Sequence, residues 1–327
     1  MPMSGLIFVP ITEERKIIFT NYRKCFSFYL FANVTIPSKM VQESRMGLKQ
    51  SIQGLEEILI FDNWPMLLLG RLLDRKTGFV AYRKNGLDIL IDLRGGDACG
   101  TRLCIATDMY RKYLPLFHLP TAPNVLDLGA NGGGFPLMLA VEGIMPSRLV
   151  CIEMNPFTYN RLKLNLATNF GQKAVAINAA VCAYPKGDLF IKPTRGGTGD
   201  SMRTLGVAET DPHVAVSTDT FPSIYERFFA PEIVDLCKID IEGEEFAMFA
   251  ALPDALVCKI RYLIMEVHYF EETAPAATAK LMDRFQALGF REIMKNSNPK
   301  QGVFAEVRAF AGPEALLDPA SSGARPF

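Results

Sequence analysis

The sequence predicts an α/β fold: a doubly wound, mostly parallel sheet with an antiparallel hairpin at its end and a helical and hairpin appendage at the amino terminus. Three observations predict it. From Asn124 onward, short apolar runs alternate with helix-forming stretches, the pattern of a sheet covered on both faces. A glycine-rich turn, Gly129 to Gly134, follows the first of these runs and opens a helix. Two later runs end in ionisable residues, at Asp240 and Glu242 and at Glu266 and His268, on the strand edge where open sheets of this class bind ligands.

Along the chain, Glu13–Leu30 and Ser38–Phe61 mix charged and apolar residues in a helical pattern. Gly78–Arg83 and Leu87–Leu93 are strand-like, and Asn85-Gly86 between them is a strong hairpin signal. Strands are expected at Asn124–Gly129, Arg148–Glu153, Ala174–Val181, Ile233–Ile239 and Tyr262–Val267. Helices are expected at about Gly133–Glu142, Phe157–Thr168, from Glu244, and Ala276–Leu288. Phe290–Met294 and Val303–Phe310 close the sheet as a hairpin across a polar turn at Lys295–Gly302. Pro193–His213, polar and glycine-bearing, reads as a linker or an active-site lid. The expected division is an appendage over residues 1–120 that could contact substrate, a catalytic domain over 121–310, and a loose tail over 311–327.

Composition narrows the function. Lys+Arg and Asp+Glu balance at 35 each, so net charge predicts no chain-wide affinity for nucleic acid or anionic lipid. Seven cysteines, an odd number with no C-x-x-C pair, do not form a secreted disulfide pattern. No apolar run reaches the roughly 18–20 residues of a membrane span. A cytoplasmic protein without a membrane partner is expected, and the oligomeric state is left open.

The chemistry concentrates at the strand ends. A carboxylate at Glu153, closing the second strand, can accept hydrogen bonds from both hydroxyls of a ribose. The turn departs from the dinucleotide fingerprint, because Asn131 stands where its second glycine would admit a pyrophosphate. Asp127 on the preceding strand suits a ligand bearing an ammonium and a sulfonium better than one bearing pyrophosphate. The acids after the fourth strand are costly to hold at a packed strand end without a purpose. Glu244 and Glu245 suit a helix N-terminus, whereas Asp240 needs another reason. His268, one of three histidines, follows the fifth strand with Glu266 on the same face, and either a general base or a structural histidine fits there.

The region from about Asn124 to Phe290 resembles the FkbM-type methyltransferases that use S-adenosylmethionine (SAM). The resemblance is carried by Asp127, Gly129, Ala130, Asn131 and Gly133, by Glu153, by Asn178-Ala179-Ala180, by Lys238, Asp240, Glu242, Gly243 and Glu245, and by Glu266 and His268. Met154 replaces a common proline, and Gly132 and Gly134 replace bulkier residues. The resemblance implies a Rossmann-like methyltransferase sheet and a SAM site made by Asp127, Gly129, Asn131, Gly133, Glu153, Met154, Asn178 and Ala180. It implies methylation of a hydroxyl on a small molecule or sugar-containing natural product, with His268, Asp240, Glu242 and Glu266 as the catalytic group. His268 or Asp240 is the expected base. Asp240, Glu242 and Glu266 could also supply oxygen ligands to a divalent metal, although their spacing is not diagnostic. The alternatives are N-methylation on the same fold, a nicotinamide-dependent oxidoreductase, and a silent binding protein.

Overall fold

A computed structural model describes residues 54–73, 78–94, 98–185, 189–191, 214–269, 274–300 and 303–316. The helical reading of Glu13–Leu30, most of Ser38–Phe61, the loop Pro193–His213 and residues 317–327 of the expected tail lie outside these residues.

The first described elements are helical residues 54–59 and the helix Trp64–Leu72. Strands β1 (Phe79–Lys84) and β2 (Leu87–Asp92) then pair as an antiparallel hairpin with Lys84 opposite Leu87. Its turn residues Asn85 and Gly86 both have positive φ, 50° and 80°, the requirement of a tight two-residue hairpin loop.

The main sheet takes β3 (Asn124–Leu128), β4 (Arg148–Glu153), β5 (Ala174–Asn178), β10 (Val234–Ile239), β11 (Ile260–Tyr269), β12 (Arg291–Lys300) and β13 (Val303–Ala311). Their order is β12-β13-β11-β10-β3-β4-β5. The five from β5 to β11 run parallel, and the closing hairpin is antiparallel. Two short pairs lie apart: β6 (Ala180–Val181) with β9 (Thr218–Asp219), and β7 (Leu189–Ile191) with β8 (Val214–Val216).

From β3 the chain winds outward to β4 and β5, then returns to place β10 on β3's other side. The crevice at that reversal, outside the strand ends, is where open α/β sheets take ligands. Central strands covered on both faces must be apolar throughout, and alternate residues serve two cores. Val125, Leu149, Leu236 and Ile264 join one core, while Leu126, Val150, Cys237 and Leu263 join the other. Ile58, Phe61, Ile89, Ile91 and Tyr113 belong to the first core. The described residues before 120 thus share their core with the sheet.

The structure differs from the sequence reading in several places. The expected loose tail over 311–327 begins with Ala311 ending a strand and a helix at Pro313–Leu316, where Ala315 packs into the core. The stretch expected as a polar turn at Lys295–Gly302 is strand as far as Lys300. Lys295 pairs with Glu306 at 2.8 Å and Arg308 with Glu292 at 3.0 Å, so cross-strand charge pairs hold a polar sequence in the ladder. The third strand ends at Asn178, and Ala180–Val181 leaves it to pair with β9. The helix Phe221–Phe228 has no counterpart in the reading. Thr220 caps it through Ser223 N at 3.4 Å, and it buries Phe221, Ile224 and Tyr225.

Candidate active site

The glycine turn is shaped by two close approaches. Gly129 has φ of 79°, and a Cβ there would sit 1.7 Å from the carbonyl oxygen of Asp240. Only glycine lets the turn after β3 lie against the acids after β10. Gly134 starts the helix Gly134–Val141, and a Cβ on it would lie 2.7 Å from the carbonyl oxygen of Gly100. The turn Ala98–Arg102 therefore closes over the glycines, and only glycine fits at position 134. Asn165 ties the hairpin to the same turn: its Nδ2 donates to Leu90 O and Gly132 O, and its Oδ1 accepts from Leu90 N.

Glu153 ends β4 with its carboxylate aimed by two backbone amides. Asn131 N donates to Oε2 at 2.9 Å and Asn155 N to Oε1 at 2.7 Å. These two amides fix the direction of the carboxylate. Asn155 also caps the helix Pro156–Phe170 by accepting from Phe157 N and Thr158 N. Asn178 Nδ2 donates to the carbonyl oxygens of Glu153 and Met154, both at 2.8 Å. It holds the backbone under the site.

Across Gly129, β10 and β11 build an acidic wall. Parallel register sets Lys238 beside Asp127 on β3 and Ile264 on β11. Lys238 is 4% exposed, and its Nζ donates to Gly129 O at 2.7 Å. The same Nζ lies 3.4 Å from both Asp127 Oδ1 and Asp240 Oδ2, and 5.8 Å from the Tyr110 ring centre. Burial pushes the Asp127 carboxyl up to about 6 against the opposing pull of Lys238. Burial works against the charged lysine, but Asp127 and Asp240 hold its pKa above the usual range.

His268 stands behind this wall. Its Nδ1 meets Glu245 Oε1 at 3.0 Å, and its Nε2 lies 3.2 Å from Glu242 Oε2, 3.7 Å from Glu266 Oε1 and 3.8 Å from Asp240 Oδ1. Burial disfavours its charged form, but Glu245 and Asp240 outweigh burial and lift its pKa to about 9. Glu245, fully buried, also accepts from Gly243 N at 3.0 Å and Ile241 N at 3.2 Å. It shapes the acidic loop as well as starting the helix Glu245–Ala251.

These pieces enclose a cavity of about 260 Å3, near the lower end of the roughly 300–1,000 Å3 of ligand pockets. Of the expected cofactor residues, Gly129, Asn131, Glu153, Met154 and Ala180 line it. Asp240, Glu242 and Glu266 line it from the acidic side. Asp127, Gly133, Asn178 and His268 do not, and they support the lining from behind. Sequence reasoning missed Tyr110 and Cys104, which line the cavity, and gave Lys238 and Glu245 no part of their own. Burial pushes the Cys104 thiol up to about 12, so it behaves as an inert apolar group.

A methyltransferase FkbM domain matches residues 127–292, just over half of the chain. The chain belongs to this family of SAM-dependent methyltransferases. Among solved structures, FkbM from Methylobacillus flagellatus is 13% identical with a TM-score of 0.40, over 61% of this chain and 46% of that one. Trm5b from Pyrococcus abyssi is 12% identical with a TM-score of 0.41, over 72% of this chain and 56% of that one. TYW2 from P. horikoshii is 14% identical with a TM-score of 0.41, over 75% and 80%. The chain thus spans about half the length of the first two. No curated protein sequence matches it. Among the described residues no helix is long and apolar enough to cross a membrane.

Proposed function

We propose that the protein transfers a methyl group from SAM to a hydroxyl of a small-molecule acceptor within this cavity. The supporting observation is the placement of Glu153 and the acidic wall on the two sides of Gly129, lining one cavity at the sheet's reversal point. SAM would supply a methyl group on a cationic sulfonium. The residues present fit it: Glu153 offers acceptors to ribose hydroxyls, the Gly129 turn admits close approach, and Asp240 and Glu242 put negative charge where the ligand is positive. A pyrophosphate would face the same carboxylates and be repelled.

The chain's own part is positioning and proton transfer. Alignment of an acceptor oxygen with the methyl group is a large share of such catalysis, and an alcohol needs its proton removed as it attacks. Asp240, Glu242 and Glu266 are the carboxylates of the acidic wall that line the cavity and can take that proton. His268 is a positioning residue in this reading: its side chain is enclosed, it does not line the cavity, and its neighbours favour its protonated form.

Glu153→Ala is expected to weaken S-adenosylhomocysteine binding by roughly 1.5–3 kcal/mol, the usual worth of a hydrogen bond to a charged group. That is roughly a 10- to 150-fold rise in Kd, readable by calorimetric titration. Unchanged affinity would remove Glu153 from the cofactor site.

A further inference from the structure

We infer that Gly100, in the turn Ala98–Arg102, is a positioning residue of the SAM site that sets the direction of Glu153 through Asn131. The inference rests on the methyl-transfer reading and adds to it a wall contributed by the chain before β3. Gly100, Leu103, Cys104, Met109 and Tyr110 line the same cavity as Asn131 and Glu153.

The first link is a close approach of the turn to Asn131. A Cβ on Gly100 would lie 2.6 Å from Asn131 Oδ1, 2.7 Å from its Cγ and 2.9 Å from its Nδ2. Cβ atoms do not come that near to other heavy atoms, so the missing side chain is what lets the turn rest on the Asn131 amide. That amide is not at liberty to swing aside, because its Oδ1 accepts from Gly132 N at 2.7 Å. The Asn131 backbone has a positive φ of 49°, a conformation that asparagine takes more readily than most residues. The second link is Asn131 N, which donates to Glu153 Oε2 at 2.9 Å. Contact therefore runs from Gly100 to the Asn131 side chain, and from the Asn131 N–H to the carboxylate proposed to hold the ribose.

The turn is fixed on two sides. A Cβ on Gly134 would lie 2.7 Å from Gly100 O, 2.8 Å from Thr101 Cα and 2.9 Å from Cys104 Cβ, so the stretch is seated directly on the start of the helix Gly134–Val141. Thr101 is fully buried there. On the other side, Arg102 Nη2 donates to Glu57 Oε2 at 2.7 Å, and both side chains are mostly buried. A closely packed element held at two points passes a displacement on rather than absorbing it. One methyl group added at Gly100 therefore pushes the Asn131 amide off Gly132 N and turns Glu153 with it.

The test is calorimetric titration of the full chain and its variants with S-adenosylhomocysteine. Gly100→Ala is expected to raise Kd about 10-fold, within the loss expected of Glu153→Ala. In a Glu153→Ala background the same change should cost less than about threefold, because positions that act through one another are not additive. In an Asn131→Gly background it should also cost less than about threefold. There the new methyl group meets no amide, and glycine accepts the positive φ at no steric cost. A change that merely loosened the fold would lower affinity alike in all three backgrounds. If urea denaturation shows that Gly100→Ala does not fold, Arg102→Gln, which releases the turn from Glu57, takes its place and is read against Glu153→Ala in the same way. Unchanged affinity, or an equal loss in either background, would overturn the inference and leave methyl transfer standing. Wild-type protein that binds no S-adenosylhomocysteine would instead remove the SAM reading.

Discussion

Asp240→Asn is expected to lower turnover by about 10²–10⁴-fold, the usual share of a group that handles the proton. Asp240 sits between two kinds of neighbour. Lys238 Nζ is 3.4 Å from Oδ2, and the Tyr110 hydroxyl donates to the same oxygen at 3.5 Å. Its other oxygen turns toward His268 at 3.8 Å. Asparagine keeps the shape and the contact with Gly129, but it can neither take a proton at neutral pH nor carry the charge. Affinity for S-adenosylhomocysteine should fall far less than turnover, because that ligand lacks the sulfonium charge and Glu153 and the Gly129 turn still hold its ribose end. Steady-state rates together with calorimetry separate the two. Near-normal turnover would remove Asp240 from the mechanism.

The second large effect concerns stability. Lys238→Met should destabilise the fold by about 3–5 kcal/mol, the cost of breaking a buried ion pair from one side. Methionine fills much of the lysine's volume, so the loss is mainly electrostatic. Asp127, with no exposed surface, would lose its counter-charge, and Gly129 O would lose its donor. Adding Asp127→Asn should recover part of the loss, since the two side chains are coupled. Urea denaturation of the single and double variants measures both. A loss below about 1 kcal/mol would show that water or protonation of Asp127 carries the charge.

Much of this site is legible in the sequence because its parts sit at strand ends. The apolar runs before Gly129, Glu153, Asp240 and Glu266 mark parallel strands, and a parallel sheet brings their carboxyl ends to one edge. What stays hidden depends on register or on distant docking. Lys238 meets Asp127 only because β10 and β3 pair with those residues side by side, across more than a hundred positions of sequence. Asn165 looks like an exposed helix residue until the β2 hairpin lies on it. Glu245 satisfies a helix N-terminus so well that local reasoning stops there, although its place in the family pattern is an available signal. Position along the chain alone suggests that His268 faces the ligand. The strand parity that puts it with Glu266 is correct, but the acids in front of it take the cavity wall. The helix Phe221–Phe228 is readable from Thr220 as cap and Pro222 in its first turn. The polar half of β12 is not, because its partners lie on β13.

Whether the cavity beside Gly129 and Glu153 takes SAM is decided by thermal unfolding with S-adenosylhomocysteine and with NAD, each in a separate titration. A ligand that binds only the native state stabilises it by about 2.7 kcal/mol at a hundredfold excess over its Kd. The expected result is a Tm that rises with S-adenosylhomocysteine and does not move with NAD. Stabilisation by NAD with none by S-adenosylhomocysteine would contradict a SAM site.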